Sequence, residues 1–448
     1  MSHGGPGEHI TPYDRISLDE PTMIALLSSP LRHDGLVDYF GAQLHAQLVK
    51  LARAGQRSVA GRRPRVYVLP GIMGSQLGFV RDGQKPNDVL WLDPIDFNFG
   101  RLRELKLPGH PQLRPLGAMS YTYLKLTLSL REAGFDTLLV DYDWRHDIAT
   151  LGRQLAERIA ADGGEQVALV GHSMGGLVAR AAMTHDVGAR VSRLVMLGTP
   201  NHGSLAAVQA LRGTYSVVRK LAMLDLKHEA EYLAREVFST FPGLHELLPS
   251  SDRAGSLDLF DPAAWPAGPG PDSRLLGRAR GLGARLAPAD RRFHVVVGCN
   301  RITATRVSLR DGDFVYEYSR RGDGTVPVDL ACMEGADNRY VDCGHSDMPL
   351  SDRVIAGTID LLNTGKSRRF AAQPRIRDNS RARVRDTELR REYQGKVDWP
   401  QMTPAERREF LDTLNEPPRR MRSPARLASR PAVRARKRKV KAKGKPRG

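Results

Sequence analysis

The apolar positions of this chain change their spacing several times, and each change marks an element. Between residues 21 and 54, Met23, Leu26, Leu27, Leu36, Phe40, Leu44, Leu48 and Leu51 recur at helical intervals broken near Pro30. Two helices packed on the outside of the main body are predicted there. Residues 1 to about 20 are polar and contain Gly and Pro, and they read as a loose leader. From residue 65 onward, short β-branched runs alternate with amphipathic stretches. Strands are predicted at 65–69, 137–142, 166–170, 193–197, 293–297 and 339–341, and helices at 121–133, 151–161, 174–184 and 351–362. Buried strands separated by helices of this length predict an α/β fold, a mostly parallel central sheet with helices on both faces.

Two insertions interrupt that pattern. The larger, 204–290, opens with amphipathic helix over 205–224 that continues to Phe238 and ends rich in Pro, Gly and Arg; it predicts a helical cap. The smaller, 303–319, reads as a hairpin turning at Asp311-Gly312. Past residue 362 the apolar periodicity nearly vanishes, apart from a capped segment at 403–414. The expected organisation is therefore a leader with helices at 1–60, a core at 61–203 and 291–366, a cap at 204–290, and a basic, largely disordered tail at 367–448.

Composition sharpens the last boundary. The 448 residues are 41% hydrophobic and carry a formal charge of +18, which excludes a wholly disordered, collagen-like or disulfide-scaffold chain. Residues 367–448 hold 26 Lys and Arg against 9 Asp and Glu, which leaves 42 against 41 in residues 1–366. The body is nearly neutral, and the basicity belongs to the tail. A tail of this kind attracts an anionic membrane surface or another polyanion. Without interleaved aromatics it predicts no specific nucleic-acid site.

Cys299, Cys332 and Cys343 form an odd set without a CxxC spacing, the N-terminus shows no basic and apolar leader, and 18 apolar residues never run together. The expected location is cytoplasmic, at most peripheral to the inner face of a membrane. No metal-ligand spacing or phosphate loop appears, so neither a metal nor a cofactor is expected.

The chemistry concentrates at Gly171-His172-Ser173-Met174-Gly175, between a predicted strand and a predicted helix. A serine on so tight a turn needs small residues two positions before and after it, because neighbouring backbone comes into contact there. The N–H of Met174, at the start of the helix, would face an oxyanion. A nucleophilic serine also needs an acid and a base, in the chain order Ser, acid, His. Asp323, in Gly322-Asp323-Gly324-Thr325, and His345, in Gly344-His345-Ser346-Asp347, both come just after strand ends. Among the rivals, His172 is expected to point away from the serine side chain, His202 to brace a loop under the cap, and His294 to be structural. Asp143 is expected to pair internally with Arg145. The second oxyanion donor is expected at Ile72, in Pro70-Gly71-Ile72-Met73-Gly74. Trp91, Phe97 and Phe99, in the next loop, are candidate substrate contacts.

The segments VLPGIMGSQL, Tyr142-Asp143-Trp144-Arg145, GHSMGG, LGTPNHGS, Phe241-Pro242-Gly243-Leu244, GDGTVP and GHSDMP occur in this order over residues 64–362. Together they resemble the lecithin:cholesterol acyltransferase-like branch of the α/β-hydrolases. The resemblance implies Ser173 as nucleophile, Asp323 and His345 as its partners, Ile72 and Met174 as oxyanion donors, and lipid acyl esters as substrates. The disulfide-closed lid of secreted members has no counterpart, since no cysteine precedes Cys299. Hydrolysis of carboxylic esters and acyl transfer to an alcohol both stay open, and a non-catalytic binding protein on a hydrolase scaffold is the alternative of another class.

Overall fold

The computed structural model describes residues 10–416, apart from 18, 32, 58–63, 84, 164, 251–252 and 254–256. Its centre is a six-stranded sheet built from β1 (Arg65–Leu69), β5 (Asp136–Leu139), β6 (Val167–His172), β7 (Val191–Leu197), β8 (Phe293–Cys299) and β11 (Asp337–Asp342). These run in the order β11-β8-β7-β6-β1-β5, with every pairing parallel. All six strands expected from the apolar runs are present. The four inner strands are largely apolar on both faces because both faces are covered, whereas the edge strands β5 and β11 are more polar and only partly buried. Val66, Val68, Val170, Val195 and Val296 pack with the helices Ser120–Glu132 and Asp352–Thr364 on one side. Tyr67, Leu69, Leu169, Met196 and Val295 pack with Ile148–Ala161 and Met174–Ala182 on the other.

Two smaller antiparallel sheets complete the framework. β2 (Ser75–Phe79) lies between β3 (Asp88–Trp91) and β4 (Arg114–Ala118), and periodicity did not signal any of the three. β9 (Thr303–Arg310) and β10 (Asp313–Ser319) form the expected hairpin, and β12 (Ala382–Arg385) adds to its free edge. Among the described residues, no helix is long and apolar enough to cross a membrane.

Three expectations are corrected. The leader is not loose from residue 10 onward: Pro12–Ile16 is a helix started by a capping box between Thr11 and Asp14. Asp14 is fully buried, paired with Arg81 at 2.9 Å and accepting the Val89 N–H at 2.8 Å. Residues 1–9 lie outside the described residues. The next stretch holds three helices, not two: Glu20–Ser28, Asp34–Phe40 and Ala42–Arg57.

In the larger insertion, the continuous helix is instead three: Leu205–Leu211, Ser216–Leu224 and Ala230–Glu236. The second ends where the Asp225 carboxylate accepts the N–H groups of Lys227 and His228, each at 2.9 Å, a local bond that competes with helix. Every residue of Leu205–Leu211 is buried, and Leu205, Ala207, Val208, Ala210 and Leu211 belong to the same apolar cluster as one face of the sheet.

The third correction concerns the basic tail, whose first part folds onto the body. Besides pairing through β12, it buries Val384, Leu389 and Trp399. Asp386 meets Arg212 of the cap at 2.7 Å, with neither side chain appreciably exposed. These apolar residues are too widely spaced to show a period, and the ion pair that anchors them is formed with residues 174 positions away. The expected disorder over 417–448 falls outside the described residues.

Trp399 packs at 6.5 Å from Tyr13 and 6.0 Å from Phe410, ring centre to ring centre. Trp399→Ala is expected to lower unfolding stability by about 3–5 kcal/mol, read by denaturant unfolding; a loss under about 1 kcal/mol would show that the C-terminal segment adds little to the fold.

Candidate active site

The site lies at the carboxyl ends of the parallel strands, where loops leave the sheet toward one edge. β6 ends at His172, and Ser173 comes next with φ 53° and ψ −127°, the residue before the helix Met174–Ala182. A chain that turns straight from strand into helix demands this strained conformation of the residue between them. The turn is crowded as expected. A Cβ on Gly171 would lie 2.5 Å from the Gly176 Cα, and one on Gly175 would lie 2.4 Å from the Pro70 carbonyl oxygen.

Ser173, His345 and Asp323 meet here from three separate segments. His345 lies just after β11, and its Nε2 is 3.0 Å from Ser173 Oγ. Its Nδ1 lies 2.8 Å from Asp323 Oδ2. Asp323 sits on the turn after the β9–β10 hairpin, where its other carboxylate oxygen accepts the N–H groups of Thr325 (2.9 Å) and Val326 (2.7 Å). The His345 N–H also donates to the Asp323 carbonyl, at 2.8 Å. The acid is thus held by three bonds that leave one oxygen aimed at the imidazole. All three side chains are buried. Such a chain can move a proton from hydroxyl to imidazole while the carboxylate holds the ring and balances its charge.

The loop after β1 lies directly over the serine, since a Cβ on Gly71 would come within 2.8 Å of Ser173 Cβ. The Gly71 carbonyl accepts the Gly74 N–H at 3.0 Å, closing a turn through Met73 at φ 64°. That bond orients the peptide whose other end is the Ile72 N–H. Neither the Ile72 N–H, in the turn, nor the Met174 N–H has an acceptor among the described residues; for Met174 this is the ordinary state of the first N–H of a helix.

Buried aromatics hold the rest of this loop. The Tyr142 hydroxyl donates to the Pro70 carbonyl, Trp91 Nε1 donates to the Met73 carbonyl at 2.8 Å, and Trp144 Nε1 donates to the Ser75 carbonyl at 3.0 Å. The Gly71 N–H donates to the Tyr123 hydroxyl at 2.9 Å.

The candidate substrate contacts separate. Trp91 and Phe97 are core residues, 5.8 Å apart, with Trp91 also 5.4 Å from Trp144. Trp91 lies against the Pro70–Gly74 loop through its bond to the Met73 carbonyl. Phe99 is 60% exposed, beside Gly100, which packs on Lys227 of the cap. The rivals fall elsewhere. Asp143 is engaged by Arg145 through two bonds of 2.8 and 2.6 Å, and His294 faces Asp337 at 3.3 Å. Among the described residues, no group of three or more His, Cys, Asp or Glu side chains could hold a metal ion.

In the sequence Tyr123 is one more apolar-face residue of an expected helix, and His172 is expected only to adjoin Ser173 and point away from its side chain. The His172 ring is directed away from Ser173 Oγ, but its Nδ1 meets the Tyr123 hydroxyl at 2.9 Å and its Nε2 meets the His345 carbonyl at 3.0 Å. Burial first, and the nearby His345 second, depress its pKa from 6.5 to about 3. His172 is therefore neutral in the folded chain, whereas the unfolded chain protonates it below about pH 6.5. Its contribution to stability is complete above that pH and is lost as pH falls toward 3. Between pH 7 and 5 the wild type should lose about 2 kcal/mol more unfolding stability than His172→Gln. Equal losses in denaturant titrations at the two pH values would show that His172 does not titrate this way.

Residues 121–246, which hold Tyr123, Tyr142–Arg145 and Ser173, match the family described as PGAP1-like alpha/beta domain. No curated protein sequence is significantly similar to the chain. Among solved structures the chain is similar to the mature form of the Bacillus licheniformis lipase BlEst2, at 15% identity over 68% of this chain and 94% of that one, with a TM-score of 0.36. It is also similar to a chain of the Tle4-Tli4 complex, at 13% identity over 69% and 100%, TM-score 0.39. The metagenomic carboxyl esterase MGS0156 is similar at 15% identity over 64% and 66%, TM-score 0.30. The fold is α/β, a mostly parallel central sheet with helices on both faces, and the stretch 121–246 within it carries the match to the PGAP1-like alpha/beta domain.

Proposed function

We propose that this chain is a serine hydrolase that cleaves carboxylic esters, with lipid acyl esters as its substrate class, through an acyl-enzyme on Ser173. The observation that carries the reading is the relay from Ser173 Oγ to His345 Nε2 (3.0 Å) and from His345 Nδ1 to Asp323 Oδ2 (2.8 Å). As Oγ attacks the ester carbonyl carbon, His345 Nε2 takes its proton, and Asp323 stabilises the imidazolium. The oxyanion of the tetrahedral intermediate faces the N–H groups of Ile72 and Met174. A single donor of this kind contributes roughly 3–4 kcal/mol in other serine hydrolases. His345 then gives the proton to the departing alkoxide as the C–O bond breaks. Water, deprotonated by the same nitrogen, attacks the acyl-enzyme, and Ser173 is regenerated as the acid leaves.

A lipid acyl ester is favoured by the ordered motifs that resemble the lecithin:cholesterol acyltransferase-like branch, and by Phe99 and Leu226, both more than half exposed on neighbouring loops. The charge distribution suggests where the enzyme works. Residues 417–448 hold 14 Lys and Arg and no acidic residue, a composition attracted to anionic headgroups.

Ser173→Ala, with an unchanged melting transition, is expected to abolish labelling by a fluorophosphonate, and persistent labelling would sink the assignment. Asp323→Asn is expected to lower kcat by roughly 10⁴, because the wrong imidazole tautomer is then held toward the serine. A chain-length series of nitrophenyl esters should favour long acyl chains; preference for the shortest would overturn the lipid reading. Full-length protein should co-sediment with anionic vesicles at low salt. Replacing the seven Lys and Arg between residues 437 and 447 by Gln should weaken that binding, and undiminished binding would remove the tail from the account.

A further inference from the structure

Tyr123 and His172 take no part in the relay, yet they join the two loops that flank it. The direction of each hydrogen bond between them is determined by groups that can act in only one way. The Gly71 N–H can only donate, and it donates to the Tyr123 oxygen at 2.9 Å. The His345 carbonyl can only accept, so the His172 nitrogen 3.0 Å from it, Nε2, carries the hydrogen. In the neutral ring Nδ1 is then an acceptor, and it takes the Tyr123 O–H at 2.9 Å. The chain therefore runs from Gly71 N–H to Tyr123, from Tyr123 to His172, and from His172 to the His345 backbone. Both side chains are buried, at 2% and 5% exposure, so water is a poor substitute partner for any of these groups.

The loop on the Gly71 side is held at a second point. Tyr142 engages the Pro70 carbonyl and Tyr123 the Gly71 N–H, the two ends of one peptide unit. With that unit pinned, the next peptide, which carries the Ile72 N–H, has only the turn to Gly74 to follow. On the other side, the imidazole of His345 lies 4.9 Å from that of His172, centre to centre. A neutral His172 places no second charge beside the imidazolium that forms during turnover.

We propose that Tyr123 and His172 are positioning residues that lock the oxyanion loop to the His345 loop, so that nucleophile, base and oxyanion donor keep one relative geometry. The proposal rests on the roles given above to Ser173, His345 and Asp323. It differs from simple packing in what it demands of the variants. Tyr123→Phe preserves ring volume but removes the hydroxyl, leaving the Gly71 N–H and His172 Nδ1 without their partner. His172→Gln keeps a donor within reach of the His345 carbonyl, and His172→Ala keeps nothing.

Steady-state turnover of a nitrophenyl ester by full-length protein, with fluorophosphonate labelling rates alongside, tests this. Tyr123→Phe is expected to lower kcat about tenfold to a hundredfold, with KM within about twofold of wild type, since neither residue contacts the acyl chain. His172→Ala should show the same split, and His172→Gln should recover part of the loss. The double variant Tyr123→Phe/His172→Ala should fall no further than the worse single, because both act through one chain of bonds. A Tyr123→Phe enzyme within twofold of wild-type kcat, or losses that multiply in the double variant, would overturn the proposal. Should Tyr123→Phe lack a cooperative melt, the His172 pair decides, and equal kcat for Gln and Ala overturns it. Loss of labelling in Ser173→Ala combined with wild-type turnover in Tyr123→Phe sinks only this coupling. Labelling that survives Ser173→Ala sinks the serine assignment beneath it.

Discussion

The Ser173 N–H donates to the Leu197 carbonyl at 2.9 Å, and the site is built on that last rung of the β6–β7 ladder. One residue before it the chain is still strand, paired in register with β7; one residue after it the helix Met174–Ala182 has begun. The serine has to reconcile two regular structures across a single position, and its φ of 53° is the result. Strain of this kind persists only where the surroundings over-determine it. Here the ladder holds the residue from behind, and the Pro70–Gly74 loop, closer to Ser173 than a side chain at Gly71 would allow, holds it from in front.

That front wall is a buried polar layer of an uncommon type. Backbone groups of Pro70, Gly71, Met73 and Ser75 find partners in the side chains of Tyr142, Tyr123, Trp91 and Trp144, each a large ring with one polar atom. Such residues combine apolar burial with a directed hydrogen bond. They explain how an irregular loop can sit deep in the molecule with the backbone groups of these four residues satisfied. They also give Trp91 a role other than that of a substrate contact, by presenting it to the loop from below.

Legibility of the sequence tracked the range of the forces at work. All six central strands and the helices at 121–133, 151–161, 174–184 and 351–362 were readable because burial on two faces, or on one stripe, imprints a local pattern. Ser173, Asp323 and His345, which the structure links by bonds of 3.0 and 2.8 Å, lie on tight turns, and such turns stand out in a sequence because they restrict composition to Gly and small polar residues. The sheet of β2, β3 and β4 was not, since Ser75–Phe79 contains a glycine and a bulge and shows no clear period. Residues 367–416 were misread as tail for a related reason. Their 12 Lys and Arg and 9 Asp and Glu look like a solvated run, while Asp386, Leu389 and Trp399 are spaced to meet the cap and the N-terminal helix and not one another. The net charge consequently narrows to 417–448, where all 14 ionisable side chains are basic.

The amino-acid sequence by itself determined the alternation of strand and helix, the parallel sheet this implies, and the identity and order of the serine, acid and histidine. Each of these depends on neighbours within a few positions. Tertiary structure decided how the cap enters the core, where the C-terminal segment docks, and which of Trp91, Phe97 and Phe99 faces solvent. It also decided that Tyr123 and His172 stand between the two loops of the site. Those outcomes hang on contacts between residues 49 to 386 positions apart, and a contact over such a span leaves no periodic trace in either partner's surroundings.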